Sequence, residues 1–188
     1  MINSAKIASF VKRHLLNRLF FVVVAAVVMT AVVGCEIVND DLPSYEATSI
    51  VNVGDKAPEF CVETIDGQYV AVGGECDDVT LLILFSYTCP DCHNLLNALQ
   101  SRISSGVATP RIVAVSRGGS LTDITAYRDK NGYTFSLVAD PERSVYQLYA
   151  TMYVPRCYII DRQGVVRFMT YEYTEGDVGR LFVEAEKY

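Results

Sequence analysis

An α/β fold is predicted for this chain, with a mixed central sheet, helices on both faces and a β-hairpin at the N-terminal edge of the domain. Three observations carry that prediction. Residues 79–85 and 111–116 are short, almost uniformly apolar runs, too short for amphipathic helices and suited to strands buried on both faces. A helical pattern follows each run, so strands and helices alternate. Two further β-prone runs flank Arg162-Gln163-Gly164, and a hairpin there adds antiparallel strands to a parallel set.

The first 34 residues differ from the rest. Lys6, Lys12, Arg13 and Arg18 precede an apolar block at 19–33, which closes in Val32-Val33-Gly34-Cys35. A basic region, an apolar region and a small residue before a cleavage point form an export signal. The apolar block is short of the roughly 20 residues needed to span a bilayer. The last four residues resemble the bacterial lipoprotein processing site. That resemblance implies cleavage before Cys35 and acylation of it, leaving the domain on the periplasmic side of a membrane. Glu36 after the acylated cysteine resembles the pattern that sends enteric lipoproteins to the outer membrane. The whole chain carries 16 basic and 22 acidic residues. Removing the four basic residues of the leader leaves 12 against 22, a formal charge of −10. Such an acidic domain lacks the basic footprint that nucleic acid requires. Residues 35–52, with Asp40, Asp41, Pro43 and Ser44 and no sustained periodicity, read as a tether. The domain proper is expected to span residues 53–188.

Within the domain, Cys61-Val62-Glu63-Thr64 and Gln68-Tyr69-Val70-Ala71-Val72 surround Asp66-Gly67, a hairpin signal. Helix is expected at 121–130, stopped by Asn131-Gly132, and a short strand at 135–138. Asp140 is expected to cap a helix with Pro141 at its first position, running to about Tyr149. Residues 176–187 read as a terminal helix. No internal repeat or low-complexity tract is present.

Chemistry concentrates where the first buried strand ends, at Ser86-Tyr87-Thr88-Cys89-Pro90-Asp91-Cys92-His93. Pro90 suits the first turn of a helix, where its missing N–H costs nothing, and Leu95, Leu96 and Leu99 give that helix an apolar face. Cys89 thus stands at the positive end of a helix, the place that stabilises the thiolate needed for disulfide exchange. Two intervening residues on a helical turn bring Cys92 within reach of it. Asp91 adds a negative charge that opposes thiolate formation, and His93, when protonated, favours it.

The order and spacing of four motifs resemble the TlpA-like branch of the thioredoxin superfamily. They are Val53-Gly54-Asp55-Lys56-Ala57-Pro58-Glu59-Phe60, the segment from Phe85 to Cys92, Ala139-Asp140-Pro141, and Val154-Pro155-Arg156-Cys157-Tyr158-Ile159-Ile160-Asp161 with Gly164. The resemblance implies a thioredoxin-like fold and a thiol–disulfide oxidoreductase. It makes Cys89 the attacking and Cys92 the resolving thiol. It makes Pro155 a cis proline beside them, with Val154 touching substrate through its backbone. Pro90, Asp91 and Tyr87 then line the substrate groove. No metal or organic cofactor is implied, because electrons pass through the cysteine pair itself. Partners would be protein thiol or disulfide clients and an upstream redox partner, with the membrane reached through the lipid anchor. The chain departs from the family pattern at Thr88, where tryptophan is usual, and at Ile83 and Leu95, where related proteins carry acids.

Other readings of the same residues exist. Cys89-Pro90-Asp91-Cys92-His93 also matches the haem-attachment pattern C-x-x-C-H, with Met152 or Met169 as a second axial ligand. A metal-handling module would need further ligands, and the mature chain has only His93. The P-x-x-x-T-x-x-C pattern of peroxiredoxins is absent around Cys89. A thioredoxin-like binding module with non-redox cysteines is the remaining alternative. Cys61 and Cys76 are a candidate structural disulfide in an oxidising compartment, and Cys157 reads as inert core. Arg156 is either a surface charge or a residue beside the groove.

Overall fold

The computed structural model describes residues 42–188. The expected signal at 1–34, the lipidation site Cys35 and the tether as far as residue 41 lie outside the described residues. Among the described residues no helix is long and apolar enough to cross a membrane.

Among the described residues, seven strands and four helices follow one another as β1 (Phe60–Glu63), β2 (Tyr69–Val72), β3 (Thr80–Phe85), α1 (Pro90–Ser104), β4 (Arg111–Arg117), α2 (Leu121–Asn131), β5 (Ser136–Asp140), α3 (Tyr146–Tyr149), β6 (Arg156–Ile160), β7 (Val166–Tyr171) and α4 (Asp177–Ala185). β1 and β2 form a separate antiparallel pair. The other five make one mixed sheet in the order β5-β4-β3-β6-β7, with β3, β4 and β5 parallel and β6 and β7 antiparallel to their neighbours. The fold class predicted from sequence is therefore the one observed.

β3 is the central strand because every one of its six residues is apolar or able to bury its hydroxyl. Its alternate side chains feed two cores. Leu81, Ile83 and Phe85 pack with Cys92, Leu95, Leu96 and Leu99 of α1 and with Val178, Leu181 and Phe182 of α4. Leu82 and Leu84 face Tyr146 and Tyr149 of α3, Val51, Ala57 and Val72 on the opposite side. Caps fix the helix that leads back into the sheet: Ser120 and Asp123 form a reciprocal box at the start of α2, and Gly132, at φ 68°, ends it.

Three expectations are corrected. The helix expected from Pro141 begins only at Tyr146. Arg143 adopts a left-handed φ of 60°, which breaks any helix running from 141. The Asp140 carboxylate instead accepts from the N–H groups of Ser144, Val145 and Tyr146, at 2.7, 3.0 and 3.0 Å, and so caps the shorter helix.

The segment expected to be tether through residue 52 belongs to the folded unit from Pro43 onward. Thr48 and Val51 are buried, Ser49 bridges to Ala150, and the N–H groups of Ile50 and Val51 bond the Tyr149 carbonyl.

Arg156, expected on the surface or beside the groove, is completely buried. Its guanidinium donates to Ser49 Oγ at 2.7 Å, Thr48 Oγ1 at 2.6 Å and the carbonyls of Met152 and Tyr45. It also lies over the Tyr171 ring at 5.1 Å. These neutral acceptors and the aromatic face replace the water that a buried cation loses.

Candidate active site

The turn that ends β3 sets the geometry. Ser86 closes it by accepting from the Cys89 N–H at 3.1 Å, and its hydroxyl meets that of Thr88 at 3.0 Å. Cys89 then takes the N-cap position of α1 in extended conformation, with no side-chain cap bond, and Pro90 opens the helix. The Cys89 sulfur is half-buried and faces outward, while Cys92, three residues on, turns inward and is completely buried. Pro90 and Asp91 are exposed between them.

Burial pushes the Cys92 thiol up from its ordinary value. The Ser86 N–H, donating to the Cys92 sulfur at 3.3 Å, partly opposes that push, and the nearby Cys89 thiol adds to it. The two thiols therefore differ: one accessible at a helix N-terminus, the other held protonated beneath it. Such asymmetry suits an attacking thiol backed by a resolving one.

Facing them is the loop before β6. The Val154–Pro155 peptide is cis, and the Cys89 sulfur lies 3.8 Å from the Val154 carbonyl oxygen. The site thus holds a backbone carbonyl as well as a thiol. The same loop is tied to the N-terminal arm. Tyr153, at φ 69°, donates its hydroxyl to the Pro43 carbonyl at 2.8 Å and packs its ring 4.6 Å from that of Tyr45.

Tyr87, Cys89, Arg117, Gly119, Arg143 and Val154 line an open cleft of about 420 Å³. Gly119 permits it to form. At φ 87° and with Tyr87 Cε1 only 2.8 Å from where a Cβ would stand, it leaves the Tyr87 ring lying against bare backbone. Behind Tyr87, Tyr127 and Tyr133 close on His93, whose Nδ1 is 3.3 Å from the Tyr127 hydroxyl and whose Nε2 is 3.0 Å from the Asn97 amide.

The structure thus brings together Cys89, Cys92, Val154, Pro155, Pro90, Asp91 and Tyr87 from the sequence-predicted set. It does not join Cys61 to Cys76; both are free thiols. Cys61 is exposed on β1, opposite Ala71, whereas Cys76 is held by its N–H on the Arg162 carbonyl at the β6–β7 turn. Cys157 is buried opposite Ile83 in β3, and burial pushes its thiol up to about 12. Ile83 and Leu95 are buried too, so the positions that carry acids in related proteins are apolar here.

Sequence reasoning missed Ser86, Arg117, Gly119 and Arg143. The Gly118-Gly119 pair at the end of an apolar strand was a readable signal for a left-handed turn; nothing in the sequence placed the two arginines beside Cys89. Among the described residues no group of three or more His, Cys, Asp or Glu side chains is arranged to hold a metal ion.

The model of the AhpC/TSA family matches residues 53–169. A thioredoxin-like protein of Bacillus subtilis, YneN, is 24% identical over 120 residues, covering 62% of this chain and 70% of that protein. Among solved structures, a putative protein disulfide isomerase from Bacteroides thetaiotaomicron superposes with TM-score 0.65 at 22% identity, covering 74% of this chain and 91% of the other. A putative thiol:disulfide interchange protein DsbE from Chlorobium tepidum superposes with TM-score 0.59 at 22% identity, covering 73% and 97%. At these identities the structural likenesses establish the thioredoxin-like fold.

Proposed function

The chain belongs to the AhpC/TSA family and has a thioredoxin-like fold, and on that footing we propose that it is a thiol–disulfide oxidoreductase working through Cys89 and Cys92. The observation that carries this is the pairing of an accessible Cys89, at a helix N-terminus and beside the Val154 carbonyl, with a buried Cys92 three residues on.

In the reducing direction the Cys89 thiolate attacks one sulfur of a client disulfide. A Cys89–client S–S bond forms, and the client's other sulfur leaves as a thiolate that takes up a proton. Cys92 then gives up its proton and attacks Cys89. The client's second thiol is released and the Cys89–Cys92 disulfide remains, two electrons having moved to the client. The oxidising direction is the reverse. Val154 and Pro155 hold the client backbone alongside, with Tyr87, Pro90 and Asp91 at the rim. No metal or organic cofactor enters either direction.

The setting follows from the leader. Residues 1–34 serve as the export signal, Cys35 carries lipid, and the domain works on the periplasmic side of a membrane, with the outer membrane favoured by Glu36. Radiolabelled fatty acid should enter the wild-type protein and not its Cys35→Ser variant.

The central test is insulin reduction by the exported domain, residues 36–188, in a dithiol-containing buffer. Precipitation of reduced insulin should be accelerated by the wild type and run at the buffer rate with Cys89→Ser. Equal rates would leave a thioredoxin-like binding module as the better reading.

A further inference from the structure

The cleft beside Cys89 carries a charge opposite to that of the domain as a whole. Arg117 ends β4 and Arg143 stands in the turn after β5; both residues line the cleft together with Cys89 and Val154, and no acidic residue does. Neither arginine makes an ion pair among the described residues. Among the described residues, the ion pairs are made by Arg128, Arg167, Arg180 and Lys187. Arg117 rests its guanidinium over the Tyr146 ring at 5.0 Å and stands in register with Asp140 of β5, whose carboxylate is taken up by the N–H groups of Ser144, Val145 and Tyr146. Arg143 is anchored by its backbone, whose N–H bonds the Asp140 carbonyl at 3.0 Å while its carbonyl accepts from Gln147 at 3.0 Å. The nearest carboxylates in sequence are not part of that lining: Asp140 is buried and occupied by N–H groups, Glu142 is exposed, and Asp91 stands exposed at the rim on the Pro90 side.

Resting on the oxidoreductase reading above, we propose that Arg117 and Arg143 select protein clients whose reacting cysteine is flanked by an acidic residue. Arg117 and Arg143 are both among the residues that line this cleft, and a guanidinium offers the forked donors that a carboxylate accepts. A client backbone laid beside Val154 puts its cysteine sulfur on Cys89 and its neighbouring side chain in that cleft. The surrounding acidic surface repels acidic partners at long range, so the preference is exerted at contact and not during approach.

The test uses three disulfide-linked peptides that differ only in the residues flanking the cysteine, which are Glu, Gln or Lys. Reduction by the wild-type domain, regenerated by dithiothreitol, should favour Glu over Gln by about three- to tenfold in kcat/KM, with Lys slowest. In the R117Q/R143Q double variant the Glu-to-Gln ratio should fall to near one. The ratio compares two substrates on one protein, so a change in the amount of folded enzyme leaves it unaffected. Should that variant fail to fold, the wild type in about 0.5 M salt supplies the same test, since screening should collapse the preference. Equal wild-type rates for the Glu and Gln peptides, or a preference that survives both the double variant and salt, would overturn the proposal. If instead no peptide is reduced at all, the oxidoreductase reading itself fails.

Discussion

The Arg156 guanidinium donates to the Thr48 hydroxyl across 2.6 Å, joining the residue after the cis proline to an arm more than a hundred residues earlier. The arm is thereby part of the domain, and the loop that faces Cys89 is braced from both sides: by Arg156 at the start of β6 and by Tyr153 reaching Pro43.

Removing that brace should be costly. Arg156→Ala leaves the hydroxyls of Thr48 and Ser49 and the Met152 carbonyl without their buried partner, and a loss of about 3 kcal/mol is expected. A domain begun at Val53 lacks the arm and should lose at least as much. Urea denaturation of both against a domain begun at Pro43 checks this; midpoints unchanged within error would show the arm to be incidental.

How far the sequence reveals this molecule depends on the range of the interactions involved. β3, α1 and α2 were legible because a buried strand, an amphipathic helix and an Asn-Gly helix stop are local patterns. The positions of Cys89 and Cys92 followed from the same locality. Arg156 was not legible, because all its acceptors but the Met152 carbonyl lie about a hundred residues away and a lone arginine in a strand reads as surface. The α3 boundary was missed for a different reason. Asp-Pro signals a helix start, yet Asp140 reaches past the turn to cap residues 144–146. Arg117 and Arg143 come together only because β4 and β5 are adjacent, and residue type alone could not show that.

The unequal burial of the cysteines predicts an order of alkylation. At pH 8, iodoacetamide should label Cys61 and Cys89 of the reduced native domain first, while Cys92 and Cys157 stay unlabelled until denaturant is added. Mass spectrometry of timed samples reads this directly. Cys92 labelled as fast as Cys89 would show that the resolving thiol is not protected.

Gly119 is where the cleft wall leaves no room. Gly119→Ala places a methyl group 2.8 Å from Tyr87 Cε1 and 2.9 Å from Ile124 Cδ1, on a backbone at φ 87°. A cost of about 1–3 kcal/mol is expected, with Tyr87 displaced from the cleft. Thermal melting should show the loss. Gly118→Ala, where nothing stands within 4 Å, carries the φ cost alone and should be milder.

Asp161 governs acid stability at the β6–β7 turn. Burial alone pushes its carboxyl up, but the Val165 N–H, the Arg167 guanidinium and the Gln163 N–H outweigh this and hold it below the usual carboxylate range. A group depressed in the folded state stabilises above its unfolded value and loses that contribution as pH falls through the folded one. Asp161→Asn should therefore cost about 1–3 kcal/mol at pH 7 and progressively less below pH 4. Denaturation midpoints at pH 7 and pH 3 measure the difference, and a penalty independent of pH would contradict it.

The account stands most directly on which sulfur the client meets. A Cys92→Ala domain, reduced and mixed with insulin, should accumulate a covalent insulin adduct, because no second thiol is left to release it. Peptide mapping under non-reducing conditions should place the linkage on Cys89, with none in a Cys89→Ser/Cys92→Ala control. An adduct on Cys61, Cys76 or Cys157, or none at all, would contradict the mechanism.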